Sequence, residues 1–246
     1  MNHPMADWIV PDWPAPARVR ALVTTRAGGV SAAPYATMNL GAHVGDDPAA
    51  VAENRRRLRA CLPSEPLWLT QVHGCRVAHV EEAETAETAD AVCTRQRGKV
   101  CAVLTADCLP VLLCDEAGVV VCAAHAGWRG LAGGVIEAAL RAMATPPAQL
   151  MAWLGPAIGP RAFEVGDDVR NAFLAHAPDA ATAAAFTPAA DGKWRADLYR
   201  LATLRLNAAG VERVFGGGFC TWEESRFYSF RRDKTTGRMA SLIWMA

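Results

Sequence analysis

The chain has 246 residues, and its Lys plus Arg equal its Asp plus Glu at 25 each, giving a formal net charge of zero. That balance argues against a nucleic-acid partner, which a basic excess would announce. A content of 52% hydrophobic and 20% charged residues is that of a globular protein with a sizeable buried core.

The most apolar stretch, residues 119–143, is interrupted by His125, Arg129, Glu137 and Arg141, so no membrane span is expected. The first residues carry an acid instead of the basic start of a signal peptide, and the expected location is the cytoplasm. The eight cysteines include no Cys-x-x-Cys pair and several sit in apolar runs, as reduced thiols do.

Taken in chain order, residues 18–26 read as a β-rich strand running into the Gly28–Gly29 turn. Asp47-Pro48 reads as an N-cap with proline in the first turn of a helix reaching Cys61. Residues 67–72 and 76–80 read as short strands flanking a His73-Gly74 turn. Buried strands follow at 99–105, 110–114 and 118–124. A helix over 130–144 is stopped by Pro146-Pro147. Residues 151–154 read as a strand, and a helix begins after Gly166 with Asp167 and Asp168 in its first turn. Residues 178–191, Ala-rich with Pro188, read as a surface loop inserted into a single domain. Asp197 caps a helix to Ala209, with Gly210 as its stop. Residues 211–215, 227–230 and 239–244 read as strands. Strands in runs without intervening helices predict an α+β fold with mixed sheets.

Three segments share one design: an apolar strand end, a metal-capable residue, then turn chemistry. They are Leu-Thr-Gln-Val-His73-Gly, Leu-Thr-Ala-Asp-Cys108-Leu-Pro and Cys-Ala-Ala-His125-Ala-Gly-Trp-Arg-Gly. One thiolate and two imidazoles form the donor set of a catalytic zinc site that keeps a position open. Spacings of 35 and 17 residues make this no local motif, and each residue alone also suits a structural role. Cys93, Cys101, Cys114 and Cys122 read as core. His43 lies in a glycine-bounded loop that can line a pocket, whereas His3, His79 and His176 carry no signal.

The sequence resembles the YfiH family, also called the laccase-domain or peptidoglycan-editing-factor family. The resemblance rests on Thr25-Arg-Ala-Gly-Gly-Val-Ser31, Asn39-Leu-Gly-Ala-His-Val-Gly-Asp46, Thr70-Gln-Val-His-Gly74, Ala89-Asp-Ala and Thr105-Ala-Asp-Cys-Leu-Pro. It extends through His125-Ala-Gly-Trp-Arg-Gly130, Leu154-Gly-Pro-Ala-Ile-Gly159, Phe163-Glu-Val-Gly166 and the Cys220-Thr, Phe227-Tyr-Ser-Phe-Arg-Arg-Asp and Thr236-Gly-Arg238 segments. It implies layered mixed sheets flanked by helices, in a fold similar to a toxin deamidase. It further implies His73, Cys108 and His125 as joint metal and catalytic residues.

The implied chemistry is purine nucleoside phosphorolysis of adenosine, inosine, guanosine and methylthioadenosine, with deamination of adenosine, dependent on zinc. Phosphorolysis needs an anion site. Arg129 and the amides at the start of its helix, with Arg26, His43 and Arg231, are the candidates for phosphate and substrate. Asp107 and Glu164 are candidate proton shuttles, and Trp128 a candidate stacking surface for the base. Two alternatives remain. One is a copper polyphenol oxidase, against which six histidines count, since multicopper centres need far more imidazoles. The other is a Cys-His hydrolase acting on peptidoglycan precursors, with Cys108 as nucleophile.

Overall fold

The computed structural model describes residues 7–83 and 87–246; His3 lies outside the described residues. Among these residues, no helix is long and apolar enough to cross a membrane, and all eight cysteines are free thiols.

The strands are β1 (Val19–Val23), β2 (Val77–His79), β3 (Ala91–Thr94), β4 (Val100–Thr105), β5 (Leu109–Asp115), β6 (Val121–Ala126), β7 (Leu150–Leu154), β8 (Glu164–Val165), β9 (Phe186–Pro188), β10 (Trp194–Ala196), β11 (Arg213–Gly216) and β12 (Met239–Met245). The helices are α1 (Pro48–Arg59), α2 (Trp128–Gly133), α3 (Val135–Met143), α4 (Asp167–His176), α5 (Ala180–Ala183), α6 (Leu198–Ala208) and α7 (Phe230–Asp233).

A six-stranded sheet of order β11-β7-β5-β6-β3-β2 forms the centre, and its mixture of parallel and antiparallel pairs fits the α+β reading. β5 and β6 are buried along their whole length, and their alternate residues feed two cores. Leu109, Val111 and Leu113 join Cys122, Ala124 and Ala126 against α2, α3, α4 and α6. Leu112, Cys114, Val121 and Ala123 face the other way, toward Cys101 and Val103 of β4 and Ile243 of β12. β4 and β12 belong to a second sheet, β1-β12-β4, whose outer residues Leu22, Val100, Ala102, Leu104 and Leu242 pack on Leu58 of α1. The result is a helix, sheet, sheet, helix stack.

Four elements depart from the sequence reading, each for a physical reason. The helix over 130–144 is broken into α2 and α3 at Gly134, whose φ of 102° lies in the left-handed region glycine tolerates. Residues 67–72 form isolated bridges at Leu67 and Thr70 instead of a strand. There the Gln71 side chain takes over the ladder's role, accepting from Leu104 N at 2.7 Å and donating to Leu104 O at 2.8 Å. Residues 227–230 are not a strand, because Ser229 caps α7 by accepting from the Arg232 amide. The segment 178–191 is not an unstructured loop. Asp179 caps α5, and β9 pairs with β10 in a third sheet, β8-β10-β9. β3, only four residues long and without strong alternation, was not legible as a strand.

Candidate metal centre and its cavity

Strand register brings the distant residues together. β5 and β6 are antiparallel with Leu109 opposite Ala126 and Pro110 opposite His125, which sets Cys108, just before β5, beside His125. β3 pairs with β6 so that Ala91 faces Ala124, which carries Asp90 to His125. β2 runs parallel to β3, and the turn before it delivers His73 to the same place. The donor atoms of His73, Cys108 and His125 all lie within 4.8 Å of one another, and they form the one such group of three among the described residues. Cys108 Sγ stands 3.7 Å from His73 Nε2, and the two imidazoles meet edge to face with centroids 4.8 Å apart.

Asp90, fully buried, organises the group. Its Oδ1 accepts from the His73 amide at 2.8 Å and from His125 Nδ1 at 2.8 Å, while Oδ2 accepts from Val72 N at 3.1 Å and Gly74 N at 2.7 Å. A bond from Nδ1 to a carboxylate fixes the His125 tautomer and leaves Nε2 for the site. The amide bonds also hold His73 at φ 60°, a left-handed conformation that costs roughly 1–3 kcal/mol and persists only when the surroundings enforce it. Burial alone would raise the Asp90 carboxyl, but His125 and the amides hold it below its usual range.

Cys108 and His125 form a coupled pair. Burial would raise the Cys108 thiol, yet the charge and hydrogen bonds of His125 and His73 bring it down to about 6. Burial would lower His125, yet Cys108 and Asp90 raise it to about 9. The ion-pair form, thiolate beside imidazolium, is therefore favoured in the apoprotein. Other thiols go the opposite way: burial pushes Cys93 up to about 11 and Cys114 up to about 12. Cys93, Cys101, Cys114 and Cys122 are all buried. A disulfide reagent is accordingly expected to count at most four thiols in the folded protein and eight in denaturant; a native count above four would contradict this packing.

The group opens into a cavity of about 320 Å³. Of the residues expected to bind phosphate or substrate, His43 and Arg231 line it. Arg129 stacks on Trp128 with 4.3 Å from its guanidinium carbon to the ring centroid, and Arg26 donates from Nε to Ala36 O at 3.0 Å; neither is among the lining residues. Trp128 packs against the main core instead of facing the cavity. Asp107 lines the cavity, but Oδ1 accepts from Thr221 Oγ1 at 2.6 Å and Oδ2 from Arg231 N at 2.6 Å. With both oxygens so engaged, Asp107 ties the wall together. Glu164 is exposed in β8, off the cavity lining.

Sequence reasoning missed Asp90, Arg238, Phe163 and Phe230. For Asp90 a signal existed, an acid inside the apolar run Ala89 to Cys93, because a buried carboxylate needs several donors. Gly127 is a further constraint: a Cβ there would stand 2.7 Å from His73 Cδ2 and 2.9 Å from Cys108 Sγ. Gly127→Ala is expected to displace both side chains and lower activity by at least about tenfold, the scale of a misplaced reacting group, with the folded state retained on a thermal melt. Unchanged turnover would show that this close approach is immaterial.

The family model described as multi-copper polyphenol oxidoreductase laccase matches residues 20–246, and relatives of the YfiH type match nearly end to end. The chain belongs to the YfiH family. A purine nucleoside phosphorylase of Pseudomonas aeruginosa is 56% identical over 243 residues, covering 98% of this chain and 99% of the relative. The purine nucleoside phosphorylase YfiH of Escherichia coli is 56% identical over 245 residues, covering 98% of this chain and all of the relative. A solved structure from Neisseria meningitidis superposes with a TM-score of 0.93 at 51% identity, covering 97% of this chain and 99% of that one. That of the Bacillus licheniformis YfiH protein gives 0.86 at 30% identity, with 93% of each chain covered.

Proposed function

We propose that this YfiH-family chain is a zinc-dependent purine nucleoside phosphorylase, cleaving adenosine, inosine, guanosine and methylthioadenosine and also deaminating adenosine. The observation that carries the reading is the convergence of His73, Cys108 and His125 at a cavity of nucleoside scale; the names of the relatives give the substrate class. The donor set fits zinc. Bonds of about 2.0–2.3 Å in a tetrahedron place ligand atoms about 3.3–3.8 Å apart, so the 3.7 Å pair already matches and the 4.8 Å spread closes by about 1 Å. One such group among the described residues suits a mononuclear site and not the several centres of a multicopper oxidase.

When bound, zinc supplies Lewis acidity at this end of the cavity. The chain's own residues do the rest. Asp90 holds the His125 Nδ1 proton and thereby aims Nε2. Phe163 and Phe230 line the same space with aromatic surface on which a purine can stack. Ile158 and Leu104 add apolar wall that excludes water. In phosphorolysis a phosphate oxygen bonds to C1′ of the ribose, the C1′–N9 bond breaks, and its electron pair leaves with the purine. The proton of the hydrogenphosphate ends on a purine ring nitrogen.

A second reading has a specific observation behind it. Cys108, His125 and Asp90 stand in the nucleophile, base and orienting order of a thiol hydrolase, which suits amide cleavage in peptidoglycan precursors. Metal analysis of protein purified without added metal separates the two. Near-stoichiometric zinc, with phosphate-dependent release of hypoxanthine from inosine, is the expected result. Metal-free protein whose activity survives a chelator and ignores phosphate would favour the hydrolase.

A further inference from the structure

The charge on the cavity lining is uneven. Beyond the three metal-capable residues it carries His43, Arg231 and Arg238 and a single carboxylate, Asp107. That carboxylate is consumed inside the wall by Thr221 and by the backbone amide of Arg231. Neither guanidinium takes part in an ion pair among the described residues. Each is fixed through one nitrogen. Arg231 Nη1 donates to Glu164 O at 2.8 Å, and Arg238 Nη1 donates to Thr236 O and Gly237 O at 3.0 Å each. Each also sits by an aromatic ring of the lining, Arg231 5.4 Å from Phe163 and Arg238 6.0 Å from Phe230. Nε and Nη2 of both have no protein acceptor among the described residues. Two anchored guanidinium forks with unspent donors, in one cavity with no free carboxylate, match a tetrahedral oxyanion, which arginine binds bidentately.

We propose that Arg238 and Arg231, beside His43, form the phosphate cradle of the cavity, with Arg238 as a phosphate-binding residue that the sequence reading did not single out. The assignment rests on the phosphorylase reading above. It places the anion among the same residues as Cys108 and His125, and away from the start of α2, where Arg129 is stacked on Trp128. The cradle would serve inorganic phosphate, the second substrate. The 5′-phosphate of a nucleotide has the same chemistry and is the competing source.

The test is steady-state phosphorolysis of saturating inosine over a range of phosphate concentrations. Wild type is expected to saturate. Arg238→Met and Arg231→Met are each expected to raise the phosphate KM by at least about tenfold, the scale of one lost charge-assisted contact, with the inosine KM within about twofold of wild type. Arg238→Lys, which keeps the charge and the stem, is expected to recover part of the loss and guards against a folding defect in the Met variant. Wild type that releases no hypoxanthine in response to phosphate would sink the phosphorylase reading and this one with it. Wild type that does so while both Met variants keep its phosphate KM would sink the arginine assignment alone. A rise in phosphate KM for Arg129→Met, with none for Arg238→Met, would move the anion to the helix start and also overturn it. Inosine 5′-monophosphate cleaved with a lower KM than inosine, an advantage lost in Arg238→Met, would assign the cradle to a substrate phosphate instead.

Discussion

Cys108→Ala is expected to abolish inosine phosphorolysis, a fall of at least about a thousandfold or roughly 4 kcal/mol of transition-state stabilisation, while the protein remains folded. The argument starts from position. Cys108 is the last residue of the turn between β4 and β5, partly exposed to the cavity instead of packed in a core. Its loss leaves no sizeable void, so the stability of the metal-free protein should change by no more than about 1 kcal/mol. Function is a different matter, because Cys108 supplies the thiolate of the three-donor set and the partner that raises His125. Cys108→Ser restores volume and a hydroxyl but not a soft, readily ionised donor, and should be nearly as inactive. Full turnover in either variant, with a normal thermal melt, would remove Cys108 from the mechanism.

The second large effect is at Asp90. Asp90→Ala strips four hydrogen bonds from one buried carboxylate and leaves the amides of Val72, His73 and Gly74 and the His125 Nδ1–H without their acceptor. Each orphaned donor costs about 1–3 kcal/mol, partly relieved by water entering from the cavity. A net loss of about 3–5 kcal/mol is therefore expected, which for a chain of this size lowers Tm by about 6–20 °C. His73 would also lose the bonds that enforce its left-handed backbone, and His125 its tautomer. Activity should accordingly fall by a further factor beyond unfolding, about 10–100-fold as for residues that orient metal-binding histidines. Asp90→Asn separates the two roles. Its amide keeps one acceptor oxygen for part of the turn but presents an NH₂ to another donor, so it should recover stability more than activity. A Tm within about 2 °C of wild type for Asp90→Ala would show that the carboxylate holds nothing together.

These two residues also mark what could be read along the chain and what could not. His73, Cys108 and His125 each end an apolar run, and the β5–β6 hairpin is legible because both strands are continuously hydrophobic and turn at the Gly118 region. The pairing of β3 with β6 is not legible, since Ala91–Thr94 is only four residues long and has no strong alternation. It is that pairing which carries Asp90 to His125. Arg238 lies 130 residues beyond Cys108 in sequence number and reaches the cavity through β12, which pairs with β4 and places Met239 opposite Thr105. No spacing rule could announce such a neighbour. Propensity misled where a capping side chain or a single glycine overrode it, at Ser229 and at Gly134.

The arginines expected to hold phosphate show the same limit. Arg129 follows a strand and opens a helix, the arrangement that so often binds anions, yet its guanidinium lies on Trp128. Arg231, in a run that looks like an ordinary charged surface, lines the cavity. Side-chain direction separates the two, and direction is set by contacts that only the fold supplies.

The most direct test is anomalous diffraction at the zinc absorption edge, on crystals of protein purified without added metal. One peak per chain is predicted, about 2.3 Å from Cys108 Sγ and about 2.0–2.1 Å from a ring nitrogen of each of His73 and His125. The absence of a peak at these three residues, or a peak held by other side chains, would contradict the account.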